Sequence, residues 1–256
     1  LLTEEVEIAD PGTVRLELGF DFLQDQRFAL SGLRGDLTGI GVLGLTFGMA
    51  PNVEFQVQGT LQNFLSINQQ GPSAIPLALP HRNSTNDIGD FSLLAKFLLR
   101  RESEHLPALG FRFGVGLPNS NQARGLGLNQ TNFVSTVLVG KHIGRLNLFG
   151  NVGLGIFPAP IEPFSQNDML LYGLAGVYRL NDRLNIVGEA NGRVNTRSDP
   201  PLGTESQGQA RLGIQLRAGG LRWDVAGMKG LTRFSPESGV TFGLTYDVKA
   251  FHPVDK

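Results

Sequence analysis

The chain is 256 residues long with a formal net charge of -1, 18% charged residues and no cysteine. That length suits one large domain, since no Pro/Ser-rich linker or shift of composition divides it. Scattered charges near neutrality offer no basic field for nucleic acid, the missing thiols exclude disulfide staples and thiolate metal sites, and no stretch approaches the about 18 consecutive apolar residues of a membrane-spanning helix.

The chain opens on an acidic leader with Glu4, Glu5, Glu7 and Asp10. It has no basic start followed by an apolar stretch, so any signal peptide is expected to have been removed already. Such a leader could enter a lumen or stay loose; chain termini are commonly mobile, and a loose leader is the expectation.

From residue 13 the pattern changes to strict alternation. Val14, Leu16, Leu18, Phe20 and Phe22 interleave with Arg15, Glu17, Gly19 and Asp21. Only a strand, sending successive side chains to opposite faces, has that period of two. The beat returns at Val53 to Leu61, where Val53, Phe55, Val57 and Leu61 face Glu54, Gln56, Gln58 and Thr60, and again at Leu109 to Leu117 around Arg112. The apolar rows of these strands carry no charge, and the polar rows taken together carry charges of both signs.

Gaps between these segments alternate in length. Longer gaps fall at 27–35, 65–89, 118–130, 158–168, 195–206 and 232–238, and shorter ones at 50–52, 100–107, 142–144, 181–183 and 218–220. An up-and-down sheet whose two rims face different environments produces such asymmetry, with long outer loops and tight periplasmic turns. The segments sum to about twelve strands, an even number as in single-chain bacterial barrels. The predicted fold is therefore all-β: a closed antiparallel transmembrane barrel over 13–248, with a periplasmic leader at 1–12 and a periplasmic tail at 249–256. Its place would be the bacterial outer membrane, with lipid against the apolar rows. The other solution, apolar rows inward, would overfill a closed lumen and would require a flattened two-sheet sandwich. The polar rows, rich in Gly and poor in Lys and Glu, speak against a water-exposed outer face.

Aromatic residues near strand ends, Phe64, Phe133, Tyr178, Trp223 and Tyr246, could form interfacial girdles, or could equally be ordinary core packing. In the last strand, Thr241, Gly243, Tyr246 and Val248 resemble the C-terminal insertion signal of outer-membrane barrels, although the chain continues to Lys256.

A family resemblance rests on the middle of the chain. The stretch from Gly89 to Phe97, then Leu109 to Asn119 ending in Leu117, Pro118 and Asn119, and then Asn147 to Ile156 with Asn151, Gly153 and Gly155, resembles outer-membrane transporters named for the meta-pathway of phenol degradation. It covers about 70 residues. The resemblance implies passage of small molecules, aromatic ones among them, across the outer membrane. It brings no catalytic residues.

The residues expected to line a pore are those of the polar rows near mid-strand: Glu17, Gln58, Lys96, Arg112, Asn151, Glu189, Arg211 and Asp224. Rings of charged side chains set selectivity in such pores. Opposite signs on different walls would orient a dipolar or anionic solute; alternatively these charges pair and close the lumen as a polar core. The loop 65–89 carries an apolar patch, Ile75 to Pro80, that could fold into the mouth, pack over the rim or contact a protein partner.

Catalysis would need a histidine beside a nucleophile and an orienting acid. His105, His142 and His252 fall at short turns or in the tail, and His81, near Ser84 and Asp87, sits in a long loop, so no enzyme is predicted. The match of Gly39, Gly41 and Gly44 to G-x-G-x-x-G lies inside one strand without the following helix that the nucleotide fingerprint needs. Asn86, Asp87 and Asp90 lack the spacing of a calcium loop, so no metal or cofactor is predicted. The function expected is a passive outer-membrane channel for small solutes, aromatic or anionic ones included; the alternative is a non-conducting structural barrel that binds a partner protein through its outer loops.

Overall fold

The computed structural model describes residues 2–162 and 165–252. Its strands are β1 (Thr13–Phe28), β2 (Leu33–Ala50), β3 (Val53–Gln70), β4 (Ser84–Asp87), β5 (Ser92–Arg100), β6 (Ala108–Gly116) and β7 (Asn132–Ile143). They continue with β8 (Leu146–Pro158), β9 (Gln166–Arg179), β10 (Leu184–Asn195), β11 (Gln207–Ala218), β12 (Leu221–Gly230) and β13 (Ser238–Lys249). A 3-10 turn at 122–124 is the one helical element among the described residues.

Every strand pairs antiparallel with its neighbour in sequence, except that β3 pairs with β5 and the short β4 adds to the end of β3 at Asn63–Ser66. The sheet closes where β1 meets β13, in register from Thr13 opposite Lys249 to Gln24 opposite Ser238. Closure leaves a cylinder of twelve strands plus β4, with no open edge among the twelve.

The alternation has the meaning expected of a membrane barrel. Leu154, Leu174, Leu212 and Phe242 point away from the lumen, with Leu212 69% and Leu174 64% exposed, whereas Glu54, Gln56, Lys96 and Glu189 are buried inside. Large apolar side chains are exposed on all twelve barrel strands. A water-soluble monomer rarely exposes a contiguous apolar patch beyond a few hundred Å². The apolar-inward sandwich is thereby excluded.

The two rims differ as the gap lengths predict, with two departures. The first long-side connection is only a tight turn at 29–32, because β1 and β2 run on past the barrel body as a hairpin. On the same side, 65–89 is partly strand: β3 continues to Gln70, and β4 pairs back onto it. Bulges accommodate these long strands. Gly41 takes a φ of 65° where the β1/β2 register shifts between Gly19 and Phe20, which explains a glycine at the centre of a strand.

The leader does not stay loose. Residues 2–10 lie within the barrel and turn at Gly12, whose N–H bonds to the Gly48 carbonyl, to enter β1. The reason is steric as well as polar. A side chain at Gly48 would put its Cβ 2.2 Å from the Asp10 carbonyl oxygen, and one at Gly173 would come 2.9 Å from Thr3. Glycines in the inner row leave the groove in which the leader lies.

Candidate functional site

The inner rows of β3, β5 and β6 place three charged side chains side by side. Glu54 is opposite Lys96, and Lys96 is opposite Arg112, across consecutive ladders. Onto them comes Glu4 of the leader. Lys96 Nζ lies 2.7 Å from Glu4 Oε1 and 2.8 Å from Glu54 Oε1, and it donates to the Glu5 carbonyl at 3.0 Å. Arg112 approaches the other Glu4 oxygen at 3.6 Å while donating to Gln56 and Gln58 at 2.9 and 3.0 Å. Burial alone would raise the Glu4 carboxyl; the charges of Lys96 and Arg112 outweigh it and hold the group at about 2.

The leader's backbone is held as firmly as its side chains. The Glu189 carboxylate accepts from the N–H groups of Leu2, at 2.9 and 3.0 Å, and of Thr3, at 2.8 Å. Asn151 accepts from the Glu4 N–H and donates to the Glu4 carbonyl, both at 2.8 Å, pairing with the leader as one strand pairs with another. Nearer the short-turn rim, the Ala9 N–H donates to Glu54 at 2.6 Å. A chain inside a barrel must satisfy its backbone groups from the wall, and these residues supply the partners.

The eight residues picked from the sequence all face the interior, but they do not meet one another across an open lumen. Lys96, Arg112, Asn151 and Glu189 converge on the leader, and Gln58 supports Arg112. Arg211 stands opposite Glu189 in register, with its guanidinium 4.0 Å from the carboxylate. Glu17 and Asp224 share Arg222, at 3.2 and 3.1 Å. Glu54, Gln56 and Arg222 lie in the same inner rows as chosen positions but are not among them, Gln56 and Arg222 two residues away and Glu54 four. Nor is Glu4, whose partners come from strands about 50 to 150 residues away.

Polar space remains on both sides of the leader. Toward the short-turn rim lies a cavity of about 490 Å³ whose lining includes Arg15, Glu17, Arg179, Arg217 and Arg222. Toward the long-loop rim lies one of about 420 Å³ whose lining includes Leu2, Arg112, Asn191, Arg193 and Arg211.

Both rims are tied. At the short-turn rim Glu102 accepts from the His142 N–H at 3.0 Å and lies 2.6 Å from its Nδ1, with Lys141 at 3.1 Å. The hydrogen bonds from His142 lower the Glu102 carboxyl to about 2. On the long-loop side Asp87 and Asp90 accept from the Asn121 and Ser120 N–H groups at 2.6 and 2.7 Å. These carboxylates join the 84–91 segment to the 117–131 loop. His81 bridges Ser84 through backbone only, and the Asp87 oxygens are occupied by the Asn121 and Ile88 N–H groups. Of the apolar patch, Ile75 is buried and Leu77 and Leu79 are half-buried, with Ala78 bonded to Ala123 of the neighbouring loop. The patch packs loop on loop at the rim.

No protein-family model matches the chain, and no curated protein matches its sequence. Solved structures do resemble it. An outer membrane channel from Pseudomonas putida F1 superposes with a TM-score of 0.68 at 16% identity, covering 96% of this chain and 98% of that one. The NanC porin superposes at 0.53 with 7% identity over 91% and 97%. The translocator domain of the autotransporter NalP from Neisseria meningitidis superposes at 0.53 with 14% identity over 91% and 88%. At such identities the likeness establishes a shared barrel fold.

Proposed function

We propose that the protein is a passive channel of the bacterial outer membrane for small solutes, narrowed at rest by its own leader. A continuous apolar exterior fits a lipid environment, and the exposed aromatics Phe64, Phe133, Tyr178, Trp223 and Tyr246 fit two interfacial girdles. In this orientation the short turns and both ends of 13–248 face the periplasm. The long loops, which could also meet a protein partner, face outward. The observation that carries the reading is the lumen itself. Its wall is polar, it keeps a cavity above and below the leader, and the leader is held by hydrogen bonds and ion pairs that can be exchanged for water.

Glu17, Gln58, Lys96, Arg112, Asn151, Glu189, Arg211 and Asp224 are then the pore-lining set. Four of them double as the seat of the leader. The resemblance to the phenol meta-pathway transporters and the fold shared with a Pseudomonas outer membrane channel support transport of small molecules over chemistry on them. Aromatic solutes are part of that reading.

Conductance in a planar bilayer tests it. The wild-type chain should give small, infrequent currents. Glu4→Gln combined with Glu189→Gln removes the charge that Lys96 and Arg112 hold on the leader and one of the two Glu189 oxygens that accept from the Leu2 and Thr3 N–H groups, and should give larger and longer openings. Equal, vanishing currents from both proteins would refute the channel.

A further inference from the structure

The cavity on the long-loop side of the leader has a composition unlike the rest of the lumen. Three arginines, Arg112, Arg193 and Arg211, line it, and no carboxylate does. The cavity on the other side of the leader mixes arginines with Glu4, Glu5, Glu7, Glu17 and Asp182. Two of the first three arginines have a carboxylate nearby, and the third a backbone carbonyl. Glu4 is 3.6 Å from Arg112, Glu189 is 4.0 Å from Arg211, and Arg193 donates to the Glu205 backbone carbonyl at 3.3 Å. None of these is a close bidentate pair, the arrangement in which a guanidinium is best satisfied.

Two buried donors in the same wall have no partner. They are Nε of Arg211 and Nδ2 of Asn191, whose Oδ1 is already engaged by Gln209 at 3.2 Å. Asn191 is only 9% exposed. A buried amide nitrogen without an acceptor costs stability unless something supplies one. Beside these donors the wall turns apolar at Leu2, Leu23 and Leu171. Three cations and an apolar side line about 420 Å³, and two unpartnered donors lie buried in the same wall; together they match a small organic anion better than a neutral solute.

We propose that this cavity is a binding site for a small carboxylate with an apolar body, the carboxylate facing Arg211, Asn191 and Arg112 and the body facing the leucines. A carboxylate is favoured over a phosphate because the protein already sets its own carboxylates, Glu4 and Glu189, toward two of these arginines, and because the leucines offer a phosphate nothing. The assignment rests on the channel reading in taking this cavity as a station on the solute's path. Arg112 and Arg211 also face the carboxylates that seat the leader, so an arriving carboxylate competes for cations that hold the leader in place.

Calorimetric titration of the full chain in detergent, with empty micelles subtracted, tests the site using butyrate, butyramide and inorganic phosphate. Butyrate should bind saturably, with butyramide and phosphate at least tenfold weaker. Arg211→Gln should weaken butyrate by about tenfold or more, the scale of one charge-assisted contact. Butyrate binding no better than butyramide, phosphate binding as tight as butyrate, or unchanged affinity in Arg211→Gln would each overturn the assignment. Should Arg211→Gln fail to assemble, Asn191→Leu carries the same expectation, and unchanged butyrate affinity there is equally fatal. Conductance of the wild-type chain in potassium chloride separates the two ideas. Currents without butyrate binding sink the site alone, and butyrate binding without currents sinks the channel alone.

Discussion

Lys96 shows what one inner-row residue contributes. It is 2% exposed, and two carboxylates, Glu4 and Glu54, neutralise it. Lys96→Met would leave the buried Glu54 facing only Gln56 and the Ala9 N–H. Breaking one side of a buried ion pair costs about 3 to 5 kcal/mol, because the remaining charge keeps its desolvation penalty without its partner. The expected outcome is a variant that unfolds at distinctly lower urea concentration than wild type in detergent. Glu54→Gln together with Lys96→Met should recover part of that loss, since it removes the stranded charge. These pairings were only half legible in the sequence. Alternation places Lys96 and Arg112 in one row, but the leader's Glu4 arrives from outside any strand pattern.

At the level of elements, the same strand meets two solvents. Leu174 in β9 sits opposite Gly150 and Ala190 at mid-strand on the outer face. Leu174→Lys should destabilise the barrel by about 2 to 4 kcal/mol, the cost of a cation near the bilayer midplane. Leu18→Lys on β1 should behave similarly, whereas Gln215→Lys on the inner face should cost far less; folding titrations in lipid vesicles compare the three. The leader is an element of another kind, a peptide bound to a groove. Gly48→Val would force the Asp10 and Ala9 carbonyls away, since even the Cβ would fall 2.2 and 2.6 Å from them. The barrel wall should assemble unchanged while the leader leaves its seat, read as larger single-channel currents at the same heat-modifiable mobility on gels.

For the whole molecule, the closed cylinder and its contents respond to pH together. Docking lowers the Glu4 carboxyl from its ordinary 4.5 to about 2. A depressed carboxyl contributes its stabilisation fully above the ordinary value and loses it as pH falls through the lowered one. Resting currents should therefore be the same at pH 7 and pH 5 and should rise only as pH approaches about 2; an increase already at pH 5 would contradict the seat described for Glu4. Glu102, tied to His142 at the rim, is lowered to about 2 and follows the same direction. By itself the sequence determined the all-β class, the number of barrel strands, the outward apolar rows and the inward position of all eight polar residues, because a period of two and the positions of turns are local properties. Tertiary closure alone decided what those residues touch. Leu2 and Thr3 reach Glu189, and Glu4 reaches Lys96 and Asn151, only after twelve strands have curled round them. The seat of the leader is a set of contacts between distant segments, and no local pattern of side chains encodes which segment a barrel will enclose.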